Sequence, residues 1–238
     1  MTTYVLVPGI WIGAWAWRSV AARLRADGHD VYPLTLTGVA DRRHVGGPDT
    51  DLDTHTTDIT ALIEVEELTD VVLVGHSYGG FPVTAAADRI PDRIRHVVYV
   101  DSGPLPSGTS MLDSYEPGMR AAMEALVSGS EVAPPDWASL DPAQRAGLSP
   151  SVFAELDRRA TPHPYASIRQ PLALTGAGEK VPRVLVASTF PVDEVRALIA
   201  QGHPWFAGLG DARLIGVPTG HWPMLSEPAA LAAALAEV

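Results

Sequence analysis

The fold of this chain is decided by residues 70–80, DVVLVGHSYGG. The first half is an apolar run rich in β-branched valine, typical of a buried strand, and the second half has the pattern G-x-S-x-G. Between a strand and a helix, this pattern predicts a strained turn that lifts the Ser77 hydroxyl above the end of the sheet. The small residues Gly75, Gly79 and Gly80 leave room for such a turn. Ser77 is therefore the candidate nucleophile.

Short β-type runs alternate with helical periodicity along most of the chain. The predicted strands are Tyr4–Val7, Asp30–Leu36, 70–75, Ile94–Val100, Pro182–Ala187 and Ala212–Val217. The predicted helices include one capped by Thr57 or Asp58, one over 78–90 and one over Glu227–Glu237. Alternation of this kind predicts an α/β architecture, with a six-stranded, mostly parallel sheet and helices on both faces. Pro33 favours an edge position for the second strand.

The alternation stops between residues 104 and 178, where proline, serine, glycine and methionine are frequent. We name residues 104–178 the cap and expect it to be a lid inserted after the fourth strand. The α/β core then consists of residues 1–103 and 179–238. Loops at the carboxyl edge of such a sheet carry function, which favours the lid. The alternative is a small second domain without a part in catalysis.

Composition narrows the classes of partner. The formal net charge is −11 and the 17 basic residues form no basic stripe, which argues against binding to nucleic acid or anionic membranes. Cysteine is absent, and no histidine pair has metal-ligand spacing, so we expect no metal site. No apolar run reaches the ~20 residues that cross a bilayer. We therefore expect a cytoplasmic protein, with a homodimer left open as its assembly.

A serine nucleophile needs a base and an acid. His221 follows the last predicted strand and precedes the last helix, where the order Ser, acid, His puts the base. Two aspartates can be the acid. Asp101 ends the fourth strand at the edge where these residues should meet, and Asp193 follows the fifth strand. Because Asp193 is also explained as a first-turn residue of a helix, we favour Asp101.

The remaining site assignments rest on position. The oxyanion hole is predicted from the backbone N–H groups of Ile10, in the loop after the first strand, and Tyr78. Apolar side chains predicted to line a substrate pocket are Trp11, Phe190 and Trp222, together with Tyr78 and cap residues. The other histidines are expected in lesser roles: His76 as structural, His163 as a substrate contact from the cap, and His29, His44, His55 and His96 as surface or capping residues.

Three motifs carry a resemblance to a known family. They are VLVPG at 5–9 with GAWAW at 13–17, VGHSYGG at 74–80, and Gly220-His221 with Met224. With them the chain resembles the α/β-hydrolase superfamily, and within it the plant methylesterases and hydroxynitrile lyases with their bacterial esterase relatives. The resemblance implies six parallel strands, a lid, no cofactor, and small ester substrates with an aromatic or hydrophobic acid part.

Two departures from that group separate esterase from lyase chemistry. The lyases have a threonine where this chain has Gly9 and a lysine where it has Trp222, so no cation would stabilise a departing cyanide. We therefore expect a serine esterase that works through an acyl-enzyme. The alternatives are a cyclase, lyase or lactone-opening enzyme of a biosynthetic pathway, and a small-molecule-binding protein with little catalysis.

Overall fold

The central sheet has six strands in the order β2-β1-β3-β4-β8-β9, and each neighbouring pair is parallel. The computed structural model describes residues 1–203 and 205–238. The strands within them are β1 Thr3–Val7, β2 Asp30–Pro33, β3 Val71–His76, β4 Ile94–Val100, β5 Val127–Ser128, β6 Glu131–Val132, β7 His163–Pro164, β8 Arg183–Ala187 and β9 Arg213–Gly216. The middle strands β3 and β4 are almost wholly buried, as their continuous valine-rich sequences predict.

The helices cover the sheet in two groups. They are α1 Arg18–Ala26, α2 Leu52–Val65, α3 Gly80–Arg89, α4 Met111–Ser114, α5 Pro117–Ala125, α6 Pro150–Arg159, α7 Tyr165–Arg169, α8 Val192–Ala200, α9 Pro223–Ser226 and α10 Pro228–Ala236. Helix α1 packs against α10, and α2 packs against α3. The chain moves one way along the sheet through α1 and the other way through α2 and α3, so right-handed crossovers put them on opposite faces.

The predicted six-stranded sheet with helices on both faces is confirmed, and β2 lies at an edge as Pro33 suggested. One helix start was predicted wrongly. Helix α2 begins at Leu52, and its N-cap is Asp51, whose carboxylate accepts the Thr54 N–H at 2.9 Å. Thr57 and Asp58 lie inside the helix. The error arose because several residues near this start can cap, and only tertiary contacts select among them.

The cap contains more regular structure than its composition suggested. Besides α4 to α7 it has a small antiparallel sheet with the order β5-β6-β7. These strands have only two residues each, too short for any alternation to be read from the sequence. Among the described residues, no helix has both the length and the apolar composition needed to cross a bilayer.

The carboxyl ends of the strands hold a concentration of backbone strain. Six non-glycine residues in the described chain have positive φ, and three of them lie at this edge. Ser77, at 51°, directly follows β3, and Asp101, at 47°, directly follows β4. Trp11, at 67°, lies in the loop after β1. Each such conformation costs about 1–3 kcal/mol and persists only where surrounding contacts impose it. Strain of this kind at one edge of the sheet marks that edge as the candidate site.

Candidate active site

Ser77 occupies the strained turn between β3 and α3. A short 3-10 helix, Ser77–Gly79, joins the strand to the helix. A Cβ at Gly75 would lie 2.6 Å from the Gly79 carbonyl oxygen, so the turn closes only with glycine at this position. The Ser77 carbonyl oxygen accepts the Ser102 hydroxyl at 2.7 Å. These contacts hold the backbone of Ser77 at positive φ and leave its hydroxyl at the carboxyl edge of the sheet.

A continuous chain of hydrogen bonds connects three predicted residues. The Ser77 hydroxyl donates to His221 Nε2 at 2.9 Å, and His221 Nδ1–H donates to Asp101 Oδ2 at 2.6 Å. The Asp101 side chain is 10% exposed and that of His221 is 21% exposed. The arrangement suits proton transfer from the hydroxyl to the imidazole, with the carboxylate fixing which ring nitrogen carries the proton.

The structure brings Asp101, and not Asp193, to His221. Asp193 lies exposed in the first turn of α8. Asp101 accepts three more hydrogen bonds from the turn after β8: the Ser188 N–H at 3.3 Å, the Thr189 N–H at 3.0 Å and the Thr189 hydroxyl at 2.7 Å. Burial raises the pKa of the Asp101 carboxyl, but the hydrogen bond and charge of His221 and the bonds from Thr189 lower it more. The net pKa lies well below its ordinary value, so Asp101 is ionised at neutral pH.

Two backbone N–H groups are available near Ser77. Tyr78 lies in the first turn of the 3-10 helix, whose leading N–H groups have no acceptor within the helix. Ile10 follows β1 and is 7% exposed; within the described residues its N–H donates to no protein acceptor. Buried N–H groups without a partner are rare in folded proteins. Both predicted oxyanion donors are therefore free to bind a ligand oxygen.

The histidines around the nucleophile differ partly from expectation. His76 is buried, and its Nε2–H donates to the His221 carbonyl oxygen at 2.6 Å, so it supports the backbone of His221. The expectation that His55 lies at the surface is wrong. His55 is fully buried, accepts the Tyr78 hydroxyl at 2.7 Å, and donates to the Thr37 carbonyl oxygen at 2.8 Å. Burial lowers the pKa of His55 to about 4, which keeps it neutral.

His163 is also fully buried, where the sequence suggested substrate contact. Its Nε2–H donates to the Ser167 hydroxyl oxygen at 3.0 Å, and its ring centroid lies 4.8 Å from that of Tyr78. Tyr78 is buried as well. This side of the elbow is therefore packed core shared with the cap, and Tyr78 offers the site its backbone and not its ring.

The three predicted pocket residues have different surroundings. Trp222 is 5% exposed, and its ring meets that of His221 edge to face at 5.0 Å. Trp11 is 7% exposed, and its indole N–H donates to a cap carbonyl. Phe190 is 42% exposed and contacts Phe206 with ring centroids 6.2 Å apart, beside Thr189. Only Trp222 among them contacts the Ser77–His221–Asp101 chain directly in the described contacts.

Sequence reasoning missed two residues next to the hydrogen bonds that connect Ser77, His221 and Asp101. Thr189 holds Asp101 with both its N–H and its hydroxyl. A lone threonine after a strand carries no signal of such a role. Trp137, in the cap, lies between two site residues, with ring centroids 5.7 Å from Trp11 and 5.6 Å from Trp222. Its sequence position, far from both, gave no indication of that contact.

Comparison with known proteins agrees with the fold. Residues 4–234 match the sequence model of the alpha/beta hydrolase family. A carbendazim hydrolyzing esterase of Nocardioides sp. (strain SG-4G) is 36% identical over 253 residues, covering 99% of each chain. Methylesterase 8 of Arabidopsis thaliana is 39% identical over 104 residues, which are 42% of this chain and 37% of that protein. An extracellular alpha/beta-hydrolase from a Paenibacillus species has a TM-score of 0.83 at 23% identity, covering 100% of this chain and 98% of that one.

Proposed function

The chain belongs to the alpha/beta hydrolase family, and from that premise we propose that it cleaves small carboxylic esters through an acyl-enzyme on Ser77. Like its relatives it is a carboxylesterase-like hydrolase. The observation that carries the serine mechanism is the unbroken hydrogen-bond chain from the Ser77 hydroxyl through His221 to Asp101. No other described residue bonds to the Ser77 hydroxyl.

The proposed reaction has two halves. Ser77 Oγ attacks the ester carbonyl carbon while its proton passes to His221 Nε2, and the Ile10 and Tyr78 N–H groups bind the resulting oxyanion. When the intermediate collapses, His221 returns the proton to the leaving alkoxide, and the acyl group stays on Ser77. His221 then takes a proton from a water whose oxygen attacks this acyl carbon. When the second intermediate collapses, the bond between the acyl carbon and Ser77 Oγ breaks, His221 returns the proton to Ser77 Oγ, and the acid leaves. Asp101 remains ionised throughout and stabilises the imidazolium.

The test of this mechanism is covalent labelling with a fluorophosphonate, followed by intact mass measurement. We expect one adduct on the wild-type protein and none on Ser77→Ala. Ser139→Ala removes an exposed serine hydroxyl in the cap and should label like the wild type. Hydrolysis of p-nitrophenyl acetate should fall by several orders of magnitude in Ser77→Ala and stay at the wild-type rate in Ser139→Ala. Turnover near the wild-type rate in Ser77→Ala, or a wild-type protein that does not label, contradicts the proposal.

For the substrate we propose an aromatic or hydrophobic acid part, bound against Trp222 and bordered by Phe190. Trp222 supports this because its ring is fixed edge to face on His221, so an acyl group on Ser77 would form beside an aromatic surface. An aromatic contact contributes about 0.5–1.5 kcal/mol, or roughly a 2- to 13-fold preference. We expect kcat/KM for methyl phenylacetate, whose carbonyl is not conjugated with the ring, to exceed that for methyl acetate by this factor or more, and Trp222→Leu to reduce the ratio. An unchanged ratio contradicts this part of the proposal.

A further inference from the structure

Trp11 follows the proposed oxyanion donor Ile10 and has a backbone conformation that a bulky residue seldom adopts. Its φ is 67°, in the left-handed region. For a large side chain this is a genuine outlier, and it costs about 1–3 kcal/mol. Contacts from outside the loop must therefore impose this backbone conformation on Trp11.

The cap holds Trp11 from three directions. The Thr161 N–H donates to the Trp11 carbonyl oxygen at 2.9 Å. The Trp11 indole N–H donates to the Val132 carbonyl oxygen, in β6, at 3.1 Å. The Trp137 ring packs edge to face on the Trp11 ring with centroids 5.7 Å apart. Backbone, polar edge and ring of Trp11 are thus all fixed by residues of the cap.

The same cap also holds the loop of the proposed base. The His221 N–H donates to the Gln144 carbonyl oxygen at 2.6 Å, and the Gly220 N–H donates to the Ala146 carbonyl oxygen at 3.0 Å. A Cβ at Gly220 would overlap the Gln144 carbonyl oxygen, so the two backbones approach as closely as glycine permits. Trp137 completes the connection, because its ring also contacts Trp222, which in turn packs on His221.

We propose that the cap acts as a fixed clamp on the two loops and that Trp11 is a positioning residue, which sets the oxyanion loop through its bonds to Val132 and Thr161. This rests on the proposed acyl-enzyme function, because it assigns a task to the oxyanion loop. Trp11 acts through the Ile10 amide next to it and does not need to touch substrate. Loosening Trp11 should therefore weaken binding of the transition state more than binding of the substrate.

The test is Trp11→Phe, which keeps an aromatic ring but removes the indole N–H. Its matched control is Trp15→Phe, in the same segment, because the buried Trp15 indole N–H has no hydrogen-bond partner among residues 1–203 and 205–238. Loss of a whole oxyanion donor costs about 10²–10³ in kcat, so a misplaced donor should cost about tenfold. We expect Trp11→Phe to lower kcat about tenfold, with KM changed less than about twofold. Trp15→Phe should change kcat less than about twofold.

A pair of inhibitors separates positioning from a merely structural role. A trifluoromethyl ketone forms an adduct whose oxyanion occupies the proposed hole, whereas the matching methyl ketone binds without forming it. Trp11→Phe should weaken the trifluoromethyl ketone about tenfold and leave the methyl ketone unchanged, at a temperature well below unfolding of either protein. Equal weakening of both ketones would make Trp11 a pocket wall and overturn the proposal.

The outcomes for Trp11 and for the nucleophile are distinguishable. If Ser77→Ala abolishes labelling and turnover while Trp11→Phe leaves kcat unchanged, the clamp is wrong and the acyl-enzyme stands. If Ser77→Ala retains activity, the proposed function fails first. Should Trp11→Phe not fold, Trp137→Phe replaces it, since that side chain joins Trp11 to Trp222 without being in either loop. It should lower kcat with KM unchanged, and an unchanged kcat would overturn the clamp.

Discussion

Two aspartates in this molecule accept hydrogen bonds from nearly the same set of donors, one at the candidate site and one near the opposite end of α3. Asp88, near the end of α3, accepts the Thr175 N–H at 2.6 Å and its hydroxyl at 2.9 Å, and the N–H groups of Gly176 and Gly178 at 2.9 and 3.0 Å. Asp101 accepts the N–H and hydroxyl of Thr189 and the N–H of Ser188. Both are buried or nearly so, and both accept four hydrogen bonds.

The difference is the fourth donor. For Asp88 it is one more backbone N–H, so its carboxylate only joins α3 to the end of the cap. For Asp101 it is the His221 imidazole, which carries the effect of the carboxylate to the Ser77 hydroxyl. A cradle of threonine and backbone donors is thus a structural device in itself. In the proposed mechanism it becomes part of a catalytic arrangement only where one of its donors is an imidazole that also bonds the nucleophile.

The largest effect that tests this contrast is the loss of activity in Asp101→Asn. An amide at this position can face His221 with its NH₂ group, which leaves the imidazole with the wrong tautomer, so kcat should fall by about 10⁴. Asp88→Asn removes the same charge from the matching cradle and should keep kcat within about twofold at a temperature where it is folded. The measurement is p-nitrophenyl acetate hydrolysis by the two variants at neutral pH.

Asp193→Asn is the second control for that experiment. Asp193 is the alternative acid after β8 and lies exposed at the start of α8. Its substitution should leave kcat unchanged, because the structure gives it no contact with His221. If Asp193→Asn lost as much activity as Asp101→Asn, the acid would be wrongly assigned and the contrast between the two cradles would lose its meaning.

The next effect is on stability and concerns Asp88. A hydrogen bond to a charged group contributes about 1.5–3 kcal/mol to stability. Because Asn lacks the charge of the carboxylate, Asp88→Asn should lower the free energy of unfolding by about 2 kcal/mol. For a chain of this size that corresponds to a fall in Tm of about 4–8 °C. Urea titration and thermal melts measure it, with the exposed Asp92→Asn as the control. An unchanged Tm would mean that the hydrogen bonds to the Asp88 carboxylate do not stabilise the fold.

The stability effect of Asp88 should depend on pH in one direction. Burial raises the pKa of its carboxyl, but the bonds from Thr175, Gly178 and Gly176 lower it more, so the net pKa is below its ordinary value. A group whose pKa is lowered by folding stabilises the folded state above its unfolded pKa, which is about 3.9 for aspartate. The stability advantage of wild type over Asp88→Asn should be constant above about pH 5 and should shrink progressively as the pH falls below it. If the stability advantage of wild type over Asp88→Asn grew on acidification, the hydrogen bonds proposed to stabilise the ionised Asp88 would be contradicted.

Part of this arrangement follows from sequence alone. The elbow at Ser77 was predictable because strain at a tight turn restricts its neighbours to glycine, and that restriction is visible in the sequence. Asp101 was preferred as the acid for a topological reason, since it ends a strand at the edge where Ser77 must lie. The parallel sheet with helices on both faces follows from the alternation of strands and helices, because parallel strands need right-handed crossovers, and Pro33 indicated the edge position of β2.

The remainder depends on contacts between distant segments, which leave no local pattern. His55 is buried and accepts the Tyr78 hydroxyl, but nothing in the polar sequence around it distinguishes it from a surface residue. The bridge by Trp137 joins three parts of the chain that no periodicity connects. Thr189 and Thr175 look alike in sequence. Their roles differ because Thr189 bonds to Asp101, which also bonds to His221, whereas Thr175 bonds to Asp88, which does not.

That last pair gives the finest test of the contrast. The Thr189 hydroxyl donates to Oδ2 of Asp101, the same oxygen that accepts the His221 N–H, whereas the Thr175 hydroxyl donates to Oδ2 of Asp88. Valine has nearly the same shape and lacks the hydroxyl, so each substitution removes one bond worth about 1 kcal/mol. Thr189→Val should lower kcat roughly fivefold by letting the carboxylate rotate away from His221, and Thr175→Val should lower Tm by about 3 °C without changing kcat. If both variants lost only stability, the hydroxyl of Thr189 would hold the turn after β8 and would not orient the acid.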